Sequence, residues 1–570
     1  MRLYLWIILI YLLVLAAFNF YRSKKIKSQE DFMVAGRKLG IRILVFTLIC
    51  TWIGSGTFIA GAEYAAHAGW SSLWLPAGAW LGIIVIYFLA AKIRTFGQYT
   101  IGDILEVRYG KLARLFGAIM IIIAFTTIVS YQFRAGGLIL NIMTGGAVSV
   151  EWGQFLAAFF VITFTALGGM VAVAHTDLPN GIIIVLACII ALPLVIFFSG
   201  GVHSVEQHLP AAHMALFSKD FGQYPALKAG GYFLATLLLL MGVQSMYQKF
   251  YSARTPKEAR QATALWIFGT IIVEVVVVVI AIYAAVSHWT EIKEFQIISG
   301  LKQEASIGSL HVDEFRGRAE EMISKLSAEG SLKPAQVSEL TEKISYDLQS
   351  VTSKEQLMQM RAGLDPAAIV LKAAEDIRTY SIFGFIAGVL LLGAACAVVI
   401  STGMNYLLSP TTNIMRDIYG RFINPAASES RKIALQKLFV VLLGICAFLM
   451  IFIPTIMGSR ISVLRYAYTA YTMYGVAITP ALLAALAWKR ATKAGGLASI
   501  IGGGVAAVIL ELIVPNLFPS VIVSGDPWGI PGIYISFLVS LGCLITVSLL
   551  TEPPREEDIE RLFPKGMQTE

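Results

Sequence analysis

Apolar residues in this chain are gathered in runs of about 20, the length of helix that crosses a ~30 Å hydrocarbon layer. Thirteen such runs occur, at 3–21, 41–66, 70–92, 115–143, 152–173, 180–200, 229–250, 264–287, 380–408, 433–455, 463–487, 495–515 and 529–550. Lipid cannot satisfy an open backbone, so runs of this kind form helices. The pattern predicts an all-α membrane protein with thirteen transmembrane helices. Two stretches fall outside it. Residues 288–379 are charged, with apolar positions at helical spacing in Phe315–Leu326 and Val337–Leu348, and read as a soluble helical insert. Residues 551–570 read as a polar tail. The expected organisation is eight spans in 1–287, the insert in 288–379, five spans in 380–550, and the tail. The first run is expected to be retained and not cleaved: it is long, its basic cluster follows it, and no small-x-small site is evident.

Composition agrees. The chain is 57% hydrophobic and 14% charged, against about half and a quarter in soluble domains. The net charge of +8 is unevenly spread. The insert holds 11 Lys/Arg against 15 Asp/Glu, a balance of −4, which leaves +12 on the rest. Those basic residues sit in alternate short loops: Arg22, Lys24, Lys25, Lys27, Arg37 and Lys38; then Lys92, Arg94, Arg108, Lys111 and Arg114. Later loops of the same parity hold Lys249, Arg254, Lys257 and Arg260, then Arg416, Arg421, Arg431 and Lys432, then Lys489, Arg490 and Lys493. This is the positive-inside distribution. It predicts an integral protein of the plasma (inner) membrane, with the amino terminus and the insert outside and the carboxyl tail in the cytoplasm. The positive charge therefore belongs to a lipid bilayer and not to a nucleic-acid partner.

The five cysteines all fall inside apolar runs, which suggests no disulfide framework or metal site. No HExxH, GxSxG, Walker loop or CxxC pair is present, so no enzyme is indicated and no cofactor is implied. His203, His208 and His213 share one outside loop and read as solvated.

Six stretches resemble, in order, the motifs of sodium:solute symporters. Asp31-Phe32-Met33-Val34-Ala35-Gly36-Arg37 resembles the inner-loop "yF-x-AGR". Thr51-Trp52-Ile53-Gly54-Ser55-Gly56-Thr57-Phe58-Ile59 resembles the first core helix. Gly168 to Val173 with Thr176-Asp177 resembles "GGxxAVxxTD". Gln244 to Lys249 with Ser252-Ala253 resembles "QxxxQRxxAA", with Lys249 where arginine is usual. Ile400-Ser401-Thr402 with Thr411 to Tyr419 resembles the eighth core helix and its "TNxxRDIY" run, and Trp488 to Gly495 resembles "WKRATxxG". The resemblance covers everything except about residues 290–362.

The resemblance implies a leucine-transporter-type fold: inverted five-helix repeats with broken first and sixth core helices. The residues support a break independently, because Gly54, Ser55 and Gly56 make a poor run for a continuous helix and unwound backbone at mid-depth is tolerated where it lines a cavity. Small-residue helix packing remains an alternative there. The implied activity is sodium-coupled symport of a small organic solute, a carboxylate or amino acid, by alternating access, with Na+ as the coupling ion. A sensor that kept the fold, or a proton-coupled or uncoupled transporter, are the other readings.

The family's sodium ligands map onto the carbonyls of Cys50, Ile53 and Val398 and the hydroxyls of Ser401 and Thr402. Asp177 is a further candidate for a second ion, although Met404 and Asn405 stand where relatives have serines. The alternatives are back-bonding of Ser401 and Thr402 to the preceding turn and an inner-surface position for Asp177. Arg134 lies within a span, where an ionisable residue is a functional hypothesis by default, and its fork suits a carboxylate. Snorkelling to the outer interface is its other reading. Trp52, Thr57, Gln132, Leu240 and Tyr471, with Tyr468 and Tyr474 on the same stripe as Tyr471, complete the expected lining of the solute cavity, with core packing as the other reading of the aromatic stripe.

Overall fold

The structure is a computed structural model that describes residues 3–24, 26–96, 98–218, 224–306, 311–360, 362–457, 462–523, 525–560 and 562. Nearly half of the predicted tail, at 561 and 563–570, and insert residues 307–310 and 361 lie outside the described residues. Apart from a hairpin of two-residue strands at Ile522–Val523 and Asp526–Pro527, the named elements are helices. Eleven helices among the described residues are long and apolar enough to cross a membrane. The thirteen predicted runs meet these eleven because two of the spans, Gly56–Phe96 and Val150–Phe198, each take in two runs.

The first half of the second run is helix α2, Ile41–Trp52, which follows α1, Leu3–Ser23. Helix α2 ends where Ile53 turns extended (φ −72°, ψ 95°). The chain resumes through Ser55 in a wide turn, Gly56–Gly61, and then α3, Ala62–Ala68. Gly69 at φ +58° closes α3 and admits α4, Trp74–Phe96. There the backbone of His213 crowds within 2.2 Å of where a Cβ would stand. The crowding tells against the solvated reading of that histidine: His213 is buried, its Nε2 3.1 Å from the Ala66 carbonyl.

Helix α5, Lys111–Met143, is continuous. Helix α6, Val150–Phe198, spans 49 residues and carries the fifth and sixth runs, but Gly169 breaks it at φ 46°, ψ −158°. Only glycine takes that conformation at low cost. A second break separates α7, Pro225–Gly242, from α8, Gln244–Ser252, at an extended Val243 (φ −69°, ψ 117°). Helix α9, Pro256–Ser306, runs past the predicted end of the eighth span and bends at His288 (φ −122°, ψ 16°) into the insert. The insert adds helices Phe315–Ala328, Pro334–Gln349, Lys354–Gln359 and Ile369–Ile377. The chain then returns through α10, Ile382–Asn413, α11, Glu429–Ile456, α12, Val463–Ala487, α13, Lys493–Val508, and α14, Gly532–Leu550.

Burial sorts these helices into centre and rim. The apolar window of α12 is 83% buried, whereas those of α1 and α11 are 22% buried and present leucine, isoleucine and phenylalanine outward, as lipid-facing surfaces do. Away from the insert, the Arg114 guanidinium gathers Asp103 (2.8 Å), Asp417 (2.6 Å) and Glu106 (2.6 Å), tying α5 to helix Ile101–Tyr109 and to the turn after α10. Burial alone would raise the Glu106 carboxyl, but the Arg114 and Arg421 guanidinia hold it below the usual carboxylate range.

Candidate solute and cation site

The break after α2 is held against α10. Thr402 Oγ1 donates toward the carbonyl oxygens of Cys50 (2.9 Å) and Ile53 (3.1 Å), so one hydroxyl spans two carbonyls at the helix end. The helices approach this closely because Gly54 has no side chain: a Cβ there would lie 2.7 Å from Thr402 Cγ2. Ser401 stands beside Thr402 and accepts from Asn180 Nδ2 at 2.6 Å. Val398 is buried one turn earlier on α10. The far side of the break is braced by Gln132, whose Oε1 accepts from the Ser55 amide (3.2 Å) and hydroxyl (2.7 Å).

Asp177 is wholly buried and not at the surface. It accepts from Thr47 Oγ1 at 2.5 Å and from Asn405 Nδ2 at 3.1 Å, and its backbone carbonyl receives the Cys50 thiol at 3.2 Å. Lys249, 1% exposed, donates to the other end of the same Asn405 amide. A carboxylate and an ammonium thus share one asparagine directly behind Ser401.

Beside the break lies a small pocket of about 30 Å³, room for roughly two waters. Trp52, Thr57 and Tyr471 line it together with Ser72, Thr236 and Glu274. The Tyr471 hydroxyl also meets that of Tyr131 at 3.2 Å. Glu274 receives the indole N–H of Trp52 (2.9 Å) on one oxygen and that of Trp80 (2.7 Å) on the other.

The sodium:solute symporter family model matches residues 32–297 and 379–503, leaving out most of the insert. The chain belongs to the sodium:solute symporter family. Its relatives include the high-affinity proline transporter PutP of Bacillus subtilis, 26% identical over 94% of this chain and 96% of that one. The osmoregulated proline transporter OpuE of the same organism is 24% identical over 97% and 96%. Among solved structures, the substrate-bound outward-open state of a Na+-coupled sialic acid symporter superposes with a TM-score of 0.67 at 15% identity, covering 97% of this chain and 99% of that one. The protein is therefore a multi-pass membrane transporter, a sodium-coupled symporter of a small organic solute and not an enzyme.

In this symporter the residues expected at the solute cavity separate. Trp52, Thr57 and Tyr471 meet in the pocket. Gln132 instead braces the unwound turn, and Leu240 packs beneath Gly82, where a Cβ would meet its Cδ2 at 2.9 Å. The tyrosine stripe divides as well: Tyr468 packs on Tyr232, while the Tyr474 hydroxyl bridges the second break by accepting from the Gln244 amide (3.0 Å) and donating to the Gly242 carbonyl (2.6 Å). Arg134 lines a separate cavity of about 1050 Å³ nearer the insert, with Glu63, Lys302, Asp365, Arg465 and Glu511. The sequence reading missed Glu274, Trp80 and Asn180. Glu274 had a signal, as a single carboxylate in the run Ile271–Ile282, where an intramembrane charge marks function by default.

Proposed function

We propose that this symporter imports a proline-like amino acid together with Na+ by alternating access. The observation that carries the reading is the convergence of the Cys50 and Ile53 carbonyls and the Thr402 hydroxyl at the break after α2, one turn from the Trp52–Thr57–Tyr471 pocket. A hard cation needs several oxygens to replace its water, and unwound backbone supplies them without burying a charge. With Ser401 and the Val398 carbonyl the set reaches five oxygens. Asp177 is a brace in this reading: it is engaged by Thr47 and Asn405, and the Lys249 ammonium already supplies positive charge at that asparagine. Proline is the first solute to try because the B. subtilis relatives are named as proline transporters. The membrane core is taken as inverted five-helix repeats with the amino terminus and the insert outside and the tail in the cytoplasm, as the loop charges indicate.

The test is uptake of radiolabelled L-proline into proteoliposomes. An inward Na+ gradient should drive accumulation that potassium does not support. Ser401→Ala/Thr402→Ala should raise the Na+ concentration for half-maximal uptake roughly tenfold or more, the loss expected from about 1.4 kcal/mol of ion binding. Unchanged sodium dependence in this variant refutes the assigned ion site.

A further inference from the structure

Glu274 stands in the middle of α9 with isoleucine and valine on either side, 4% exposed. Each of its oxygens takes one indole N–H, from Trp52 at the end of α2 and from Trp80 on α4. The groups acting on it are Trp80, Trp52 and Thr57, all neutral. A carboxylate offers about four lone-pair sites, and the two indoles with the Thr57 hydroxyl leave about one of them open. The rest of the group borders the pocket that Thr57 and Tyr471 also line. A charge held at this depth is stabilised by an opposite charge or by neutral donors, and the donors here pin it in place without neutralising it. The indole and phenol rings of Trp52 and Tyr471 add aromatic faces to the same pocket, surfaces that favour a cation. A carboxylate fixed by two tryptophans, bordered by aromatic rings and with no counter-charge against it among the described residues is built to receive a positive group from outside the protein.

We propose that Glu274 anchors the protonated nitrogen of the solute, and that this contact restricts the cargo to amino and imino acids over carboxylates that lack the nitrogen. The inference rests on the amino-acid reading above and adds to it a residue and a selection rule. It also assigns Trp80 as a positioning residue, since Trp80 orients the carboxylate and is not itself among the residues that line the pocket.

The experiment uses the full chain in proteoliposomes and compares wild type, Glu274→Gln, Glu274→Asp and Trp80→Phe. Glu274→Gln should raise the half-saturating proline concentration ten- to a hundredfold, the range for losing a charge-assisted hydrogen bond, and leave the half-saturating Na+ concentration within about twofold. Trp80→Phe keeps the carboxylate and should give an intermediate loss, as should Glu274→Asp, so the inference stays testable if the glutamine variant does not fold. Pyrrolidine, the amine without the carboxylate, should compete with proline in wild type and lose that ability in Glu274→Gln. Cyclopentanecarboxylate, the acid without the nitrogen, should compete weakly in both. A Glu274→Gln variant that keeps its proline affinity but needs more Na+ makes Glu274 a sodium ligand, and one that loses only a pH-gradient drive makes it a proton site; either result overturns the proposal. If wild type accumulates proline and none of the variants alters its affinity, the Glu274 role alone falls. If wild type ignores proline and takes up cyclopentanecarboxylate, the amino-acid reading and this inference fall together.

Discussion

At the scale of single residues, the site depends on atoms that are missing as much as on those present. Gly54 lets α2 and α10 touch, and a methyl group there would meet Thr402 at 2.7 Å to Cγ2 and 3.0 Å to Oγ1. Gly54→Ala should therefore push the threonine off the Cys50 and Ile53 carbonyls, raising the Na+ requirement for uptake and costing about 1–3 kcal/mol of stability, as overpacking does. Sodium titration and a thermal melt read the two effects separately, and a variant with unchanged sodium affinity would show that the contact is packing alone. Tyr474 is the corresponding residue at the second break. Its hydroxyl bridges Gly242 and Gln244, so Tyr474→Phe leaves a buried amide without its acceptor, at a cost of about 1–3 kcal/mol.

At the scale of helices, the breaks differ in how well the sequence announces them. Gly54-Ser55-Gly56 is a visible weak point, and Gly168-Gly169 is a glycine pair near the end of the fifth apolar run. Val243 lies in an ordinary apolar stretch, and the Tyr474 hydroxyl satisfies the backbone on both sides of its extended turn, a tertiary contact no local pattern carries. The site was legible to the same degree. Trp52 and Thr57 flank a break that the sequence marks, and they meet in one pocket. Gln132, Arg134 and Leu240 lie on helices whose rotation is set by packing, and apolar periodicity in a helix buried on most sides does not fix which face meets the cavity. Gly169→Ala tests the least replaceable break. Its φ of 46° and the Phe32 ring 2.8 Å from where a Cβ would stand predict a lower melting temperature. Helix Ile101–Tyr109 supplies a pH test. The Glu106 carboxyl is held low in the folded state, so its stabilising contribution is complete above the unfolded value of about 4.3 and is lost as pH falls through the lower folded value. Glu106→Gln should flatten the acid limb of a melting-temperature profile and leave neutral stability reduced.

At the scale of the whole molecule, the insert is more than an appendage to the bundle. Phe295, Ser299, Lys302 and Asp365 share the 1050 Å³ cavity with Arg134 and Glu63. Replacing residues 297–360 by a short Gly/Ser linker should open this cavity on one side and leave measurable sodium-dependent uptake in correctly inserted protein. Cysteines placed at exposed Glu329 or Tyr346 should react with an impermeant maleimide from outside, and labelling only after permeabilisation would invert the topology.

The charges around that cavity have a kinetic consequence. Its wall carries three carboxylates, Glu63, Asp365 and Glu511, and three cations, Arg134, Lys302 and Arg465. Equal in number, they cancel beyond a Debye length, about 8 Å at physiological salt, so the cavity exerts no long-range pull on ions of either sign. Encounter with an electrically neutral zwitterion gains nothing from steering and loses nothing when salt is added. The initial rate of solute capture at saturating Na+ should stay flat as ionic strength is raised with choline chloride, whereas Arg134→Gln, which leaves a net negative rim, should make sodium capture fall as salt rises.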